Sequence, residues 1–248
     1  MPNRLPSFAL RLALPLLVAS CDRGNAASQL VKAPEAGHAA GSQTEPSQAR
    51  LVSLPGGTFK MGERAETVTV QPFALDVTEV TADGYAACVR AGACTADGLE
   101  GEEATYGVAG KGAHPINYVD WNQATAYCRW AGERLPTEEE WEWAARGQGR
   151  GTTYPWGYVA PGSRACWNRQ DGTCAVGSYL TGDAPGGIHD LAGNVSEWTA
   201  SNYDAYARVT RGGGWGFPAA SPLRAADRHG QAPASRGLDL GFRCARTP

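Results

Sequence analysis

The chain has 248 residues, a hydrophobic content of 42% and a formal net charge of −3. This charge argues against a nucleic-acid partner, because phosphate binding needs a dense basic face. The 32 glycines are close to twice the usual share of roughly 7% and, with 16 prolines, predict a loop-rich fold with short elements and exclude a helical bundle.

The first 21 residues have the pattern of a secretory signal. Arg4 and Arg11 are positively charged, and the apolar run over residues 12–18 is too short to cross a membrane. Residues 17–21, LVASC, resemble a bacterial lipobox, in which the cysteine (here Cys21) is diacylated and becomes the mature N-terminus. Ordinary signal cleavage, with Cys21 left as a free thiol, is the alternative. We therefore expect an exported protein at the bacterial cell envelope, lipid-anchored to the inner or outer membrane.

Residues 22–50 are rich in Ala, Gly, Ser, Gln, Pro and Glu and have no apolar periodicity. Such a segment cannot bury enough surface to offset its ordering entropy, so it is predicted to be a flexible tether. No internal repeat is visible after it, and residues 51–248 are predicted to form one domain.

Short elements are predicted along this domain. Residues 51–62 indicate a β-hairpin with a glycine turn, residues 67–80 one or two strands, and Thr81 the cap of a helix that ends near Arg90. Further short strands or turns are predicted at residues 188–198, 208–215 and 238–246.

Residues 114–147 predict two helices joined by a tight link. Asp120 is a good N-cap for the first helix, and Gly132 suits the left-handed conformation that ends it. Thr137 and Glu140 have the spacing of a capping box for the second helix.

Six cysteines remain after Cys21, and an even number in an exported protein suggests disulfides. Six cysteines allow fifteen pairings, and the sequence alone does not choose among them. Spacing favours Cys88–Cys94 and Cys166–Cys174, which leaves Cys128–Cys244. A zinc site is the competing interpretation, but no C-x-x-C occurs and the histidines are scattered.

Eight stretches span nearly all of residues 51–248: PGGTFKMG, DVTEVT, PINYVDWNQATAYCRWAGERLPTEEEWEWAARG, YPWG, VGSY, GIHDLAGNVSEW, RVTRGGGW and LGFRCAR. Together, and in this order, they resemble the formylglycine-generating enzyme, or sulfatase-modifying factor, family. The resemblance implies a single α+β domain related to C-type lectin folds, loop-rich and disulfide-bonded. It also implies a bridge between Cys128 and Cys244.

The stretch from Asp190 to Trp198 is a candidate calcium site. Calcium takes six to eight oxygen ligands at about 2.3–2.6 Å. From the residues alone, a solvated turn whose acids pair with arginines is the favoured interpretation. The resemblance implies calcium instead, held by the side chains of Asp190 and Glu197 and the carbonyls of Gly193 and Val195. We expect a structural calcium ion here.

The family's enzymes bind copper through two cysteines shortly after the RGG motif, whereas residues 211–224 of this chain contain none. Phe217 occupies the position where the first is expected. Because soft thiolates hold copper(I), we predict no copper and no formylglycine-generating activity. The alternative is a metal-dependent oxidoreductase of the same superfamily, acting in protein or metabolite maturation. The histidines available to it, His114, His189 and His229, have no metal-ligand spacing.

Aromatic and charged residues fall in the region that forms the family's peptide groove, a composition typical of recognition sites. They predict an accessory module that binds a peptide, protein or glycan. In the alternative interpretation, the aromatics fill the core and the arginines pair with acids. The candidates are Trp215, Phe217, Arg224, Asp227, Arg228 and His229.

Overall fold

The computed structural model describes residues 50–248. The predicted signal at residues 1–21, the lipidation site Cys21 and almost all of the predicted tether lie outside the described residues. Within residues 50–248, no helix has both the length and the apolar content that a bilayer crossing needs.

Helices and strands are short and are separated by long irregular segments. The helices are α1 (Ala82–Arg90), α2 (Trp121–Trp130) and α3 (Glu138–Ala145). The strands are β1 (Leu51–Leu54), β2 (Gly57–Met61), β3 (Glu66–Val70), β4 (Phe73–Asp76), β5 (Ser196–Asn202), β6 (Arg208–Arg211), β7 (His229–Gln231), β8 (Leu240–Gly241) and β9 (Ala245–Arg246).

The strands form three small sheets. One has the order β1-β4-β9, the second is the β2–β3 hairpin, and the third has the order β7-β6-β5-β8. All neighbours are antiparallel except β5 and β8, which are parallel. The third sheet matters most for the site, because its β5 starts directly after the Asp190–Val195 loop.

The hairpin predicted over residues 51–62 is wrong, because β1 and β2 belong to different sheets. β1 pairs with β4, and β2 pairs with β3 through a turn in which the Ala65 amide donates to the Gly62 carbonyl. The predicted glycine turn instead packs on α3. There the indole N–H of Trp143 donates to the Pro55 carbonyl, and a Cβ at Gly57 would lie 2.4 Å from the Trp143 ring.

The helix predictions are confirmed at their caps. Thr81 accepts the Gly84 amide at the start of α1. Asp120 caps α2 in a capping box with Gln123, and Gly132 has φ +76° just after the helix. Thr137 and Glu140 form the capping box of α3 as predicted.

Two large apolar clusters and one small one make up the core. The first contains α1, α2 and the Phe242 region, and the second packs the first two sheets against Trp141 and Trp143 of α3. The small third cluster includes Leu223 and the ring of Phe217 at its edge. Trp141 and Trp198 are fully buried and serve packing.

Two of the three disulfides are those that spacing favoured, and the third is the one that the family resemblance implies. They join Cys88 to Cys94, Cys166 to Cys174, and Cys128 in α2 to Cys244 just before β9.

Candidate functional site

A fully buried arginine organises the end of the predicted calcium loop. Arg243 donates from Nε to Oε2 of Glu197 at 2.7 Å and from Nη2 to Oε1 at 2.8 Å. Its remaining N–H groups donate to the backbone carbonyls of Asp76 and His189. The indole N–H of Trp141 also donates to Glu197 Oε2, at 2.8 Å. The Glu197 carboxylate, predicted as a calcium ligand, is therefore held by a cation of the protein itself.

The loop that contains the other predicted calcium residues is tight. Asp190 has φ +56°, Gly193 φ +88° and Asn194 φ +61°. A Cβ at Gly193 would lie 2.5 Å from the Cys166 carbonyl oxygen, so only glycine fits there. The buried Asp190 carboxylate accepts the Gly177 amide at 2.6 Å. Its desolvation raises the pKa of this carboxyl above the usual range.

Glu79, which sequence reasoning missed, is the least satisfied acid of this region. It is 1% exposed, and neither of its carboxylate oxygens accepts a hydrogen bond from another of residues 50–248. Burial raises its pKa well above the usual range; the nearby Asp190 and Glu197 carboxylates raise it further, and Arg243 opposes them. We name Glu79, Asp190, Glu197 and Arg243 the buried acidic cluster.

The buried acidic cluster has the oxygen donors that a hard dication takes, but its three carboxylates do not bring their oxygens within 4.8 Å of one another. When ionised, the three carboxylates have only the Arg243 guanidinium as a counter-charge. The remaining negative charge is desolvated and destabilises the fold unless a counter-ion binds. Carboxylate oxygens are the ligands calcium prefers. Glu79 and Asp190 would supply the side-chain oxygens for such an ion, whereas those of Glu197 already accept hydrogen bonds from Arg243 and Trp141.

The predicted groove residues do not lie on one surface. Trp215 is only 6% exposed, and its indole N–H donates to the Leu238 carbonyl at 3.1 Å. Arg224 pairs with Glu63 at 2.9 Å beside the β2–β3 turn. Trp215 is therefore a core residue and Arg224 a paired arginine, as the alternative interpretation predicts.

Asp227 and Arg228 border a cavity of about 530 Å³ between α3 and the β2–β3 turn. Arg228 donates from Nε and Nη2 to the two carboxylate oxygens of Glu138 at 2.6 and 2.8 Å, and its guanidinium lies 4.8 Å from the centre of the Tyr203 ring. Behind it, the fully buried Arg211 binds Glu138 at 2.5 Å. These pairs brace β6 against α3, which commits Arg228 to a structural role.

Phe217 and His229 do share a cavity, of about 370 Å³, beside β6 and β7. We call this cavity the groove. Its walls also include Ser196, Thr210, Arg236 and Asp239. The sequence prediction missed the last two, and no pattern around Asp239 distinguishes it from the other acids of the chain.

No cysteine of residues 50–248 is free, since all six form disulfides. The three histidines are separately engaged. His114 contacts Thr173 at 2.9 Å, His189 contacts Asp183 at 2.7 Å, and His229 contacts Asp227 at 2.8 Å. Within residues 50–248, three potential ligand atoms lie within 4.8 Å of one another in one place only, and that group contains no histidine: Asp76, Glu133 and the disulfide-bonded Cys244.

Residues 36–248 match the model of the sulfatase-modifying factor enzyme 1-like domain. The chain therefore belongs to the formylglycine-generating enzyme family, as its motifs predict. It is 34% identical to the inactive C-alpha-formylglycine-generating enzyme 2 of Bos taurus, over 79% of this chain and 87% of that protein. It is 33% identical to the formylglycine-generating enzyme of Streptomyces coelicolor, over 78% of this chain and 88% of that protein.

Solved structures support the same assignment. The structure of PvdO from Pseudomonas aeruginosa superimposes with a TM-score of 0.66 at 27% sequence identity, over 79% of this chain and 93% of that one. The predicted fold class, a loop-rich, disulfide-bonded α+β domain related to C-type lectins, is confirmed.

Proposed function

We propose that this protein is a binding or accessory module of the bacterial envelope that does not generate formylglycine. The observation that carries the proposal is the absence of any free thiol among residues 50–248, with Phe217 where the family's first copper-binding cysteine is expected. Copper(I) needs soft thiolate ligands. Bridged cysteines cannot supply them, and a phenyl ring cannot replace them.

The comparisons agree with this proposal on one point. A relative that is 34% identical carries the word inactive in its name, so this fold exists without the family's activity. Another relative of similar identity is named as the active enzyme. Overall sequence similarity therefore does not decide whether this chain generates formylglycine. The residues at the copper position are the better guide.

The groove supports a role in binding. It combines hydroxyl groups, an aromatic ring and charged side chains in about 370 Å³, a composition suited to a segment of peptide, protein or glycan. The buried acidic cluster supports a structural calcium ion, which would neutralise the carboxylates of Glu79 and Asp190 and fix the loop before β5. Anchoring at the envelope through Cys21 rests on the sequence of residues 1–21.

The activity test uses the purified full chain supplied with copper(I), oxygen and a cysteine-containing peptide, with the Streptomyces coelicolor enzyme as the positive control. We expect no formylglycine by peptide mass spectrometry and no oxygen uptake above the metal alone. Titration of the denatured, unreduced chain should find at most the Cys21 thiol, because the other six cysteines are bridged. Formylglycine at a rate comparable to the control, or two further titratable thiols, would overturn the proposal.

A further inference from the structure

The groove has fixed walls on both sides of its charged residues. The Ser196 amide donates to the Asp239 carbonyl at 2.7 Å, which ties the segment before β8 to the start of β5. Phe217 is partly buried against the third apolar cluster and also lines the groove. The groove is therefore formed before any ligand arrives, which lowers the ordering cost of binding.

Two of the three charged residues in the groove already have partners. The Arg236 guanidinium donates to the Asp120 carboxylate at 2.7 Å, to the Tyr118 carbonyl at 2.9 Å and to the Gln123 side chain. His229 lies 2.8 Å from the Asp227 carboxylate. Neither therefore offers an uncompensated charge to a ligand.

The third charged residue, Asp239, has no such partner. Within residues 50–248, only its own backbone N–H acts on the carboxyl as a donor, and burial raises its pKa above the usual range. A Cβ at Gly214 would lie 2.5 Å from the Asp239 Cβ and 2.7 Å from Oδ2, so the glycine is what lets the carboxyl occupy this place. A half-buried carboxylate without a counter-charge is stabilised by a ligand that brings a cation or donor.

We propose that Asp239 makes the groove selective for a basic side chain, the lysine ammonium or arginine guanidinium of a bound peptide segment. The aliphatic stem and the cation of that side chain would lie against Phe217, since aromatic faces attract both. This inference rests on the proposed binding function and adds the chemical class of the ligand. Phe217, at the position expected for the family's first copper-binding cysteine, would then contact the bound side chain.

The test compares two pools of blocked, fluorescent heptapeptides with Gly, Ala and Ser at the variable positions. One pool has lysine at the central position, and the other has norleucine, which has nearly the same stem and no charge. Fluorescence polarisation with the full chain should show roughly five- to tenfold tighter binding of the lysine pool, as befits a partly desolvated, charge-assisted contact. The preference should weaken as the pH falls, because the Asp239 carboxyl is then protonated.

Asp239→Asn keeps the shape of the side chain and removes its charge, so it should abolish the preference for lysine while still binding both pools. Glu66→Gln, at an exposed position of β3, is the matched control and should leave the preference unchanged. Near-UV circular dichroism checks that each variant is folded. If wild type binds both pools equally, or if Asp239→Asn keeps the preference, the charge selectivity is overturned and the binding function stands. If neither pool binds, the selectivity for a basic side chain fails, and the activity and thiol test decides the proposed function separately.

Discussion

Glu79 is the residue on which the calcium proposal depends most directly. A buried carboxylate whose two oxygens accept no hydrogen bond from another described residue is destabilising when ionised. Among residues 50–248, the cation that acts on Glu79 is the Arg243 guanidinium, which is already bound to Glu197. A dication between Glu79 and Asp190 would turn this unfavourable arrangement into a stabilising one.

Glu79→Gln therefore should have opposite effects with and without calcium. In EDTA the variant should unfold at the same temperature as wild type or higher, because the amide replaces a carboxyl whose ionised form is unfavourable in this buried position. With calcium at 100 times its Kd, wild type should gain about 2.7 kcal/mol in free energy of unfolding, roughly 5–10 °C in Tm for a domain of this size. The variant should lose most of that gain, and Glu66→Gln should keep it. A full calcium shift in Glu79→Gln, measured by scanning calorimetry, would remove Glu79 from the site.

Asp76 predicts a decline of stability at alkaline pH. It is fully buried, its Oδ2 accepts the Cys244 amide at 2.9 Å, and its Oδ1 has no partner among residues 50–248. Burial and then the Glu133 carboxylate raise its pKa to about 8, against the opposing effect of Arg243.

Because the folded-state pKa of Asp76 is raised, the protonated form stabilises the fold. That contribution is complete below the unfolded pKa near 3.8 and is lost as the pH rises through about 8. We expect the urea midpoint of wild type to fall from about pH 6 to about pH 9, and that of Asp76→Asn to fall less, since the amide does not ionise. The other raised carboxyls, among them Glu133, leave a residual slope in the variant. Equal slopes in the two proteins would contradict this assignment.

At the scale of secondary structure, the sequence was informative wherever the determining contacts are local. Caps and capping boxes lie within three residues of the helix start, and the three helices begin where Thr81, Asp120 and Thr137 predict. The predicted hairpin over residues 51–62 is wrong because strand pairing there depends on residues far away in the sequence. β1 pairs with β4, and the glycine turn packs on Trp143, 88 residues away from Pro55 in the sequence.

The candidate sites show the same division between local and distant contacts. The loop at Asp190 could be located from a contiguous motif, whereas Glu79 becomes part of the buried acidic cluster only after folding. The groove candidates rest on the stretch that resembles the family's peptide groove, yet Arg228 pairs with Glu138 of α3, and Arg224 pairs with Glu63. Asp239 was missed because its lack of a partner is a property of the tertiary structure.

At the scale of the whole domain, the Cys128–Cys244 bridge is the longest covalent constraint. It joins α2 to the segment before β9 across a sequence separation of 116 residues, and both cysteines are fully buried in the first apolar cluster. Arg243, the centre of the buried acidic cluster, directly precedes Cys244 in the chain. The bridge therefore holds in place a short segment that belongs both to the core and to the candidate calcium site.

Replacing both cysteines of this bridge by alanine should destabilise the domain far more than removing a short-range bridge. In the chain-entropy model, Cys128→Ala with Cys244→Ala costs about 5 kcal/mol, and Cys88→Ala with Cys94→Ala, across a separation of only 6 residues, about 2 kcal/mol. Urea unfolding of the two oxidised double variants measures both losses under identical conditions. Because Cys128 and Cys244 also pack in the core, the cavity left by their sulfurs adds to the larger loss. Equal losses in the two variants would show that loop length does not set the contribution of the long bridge.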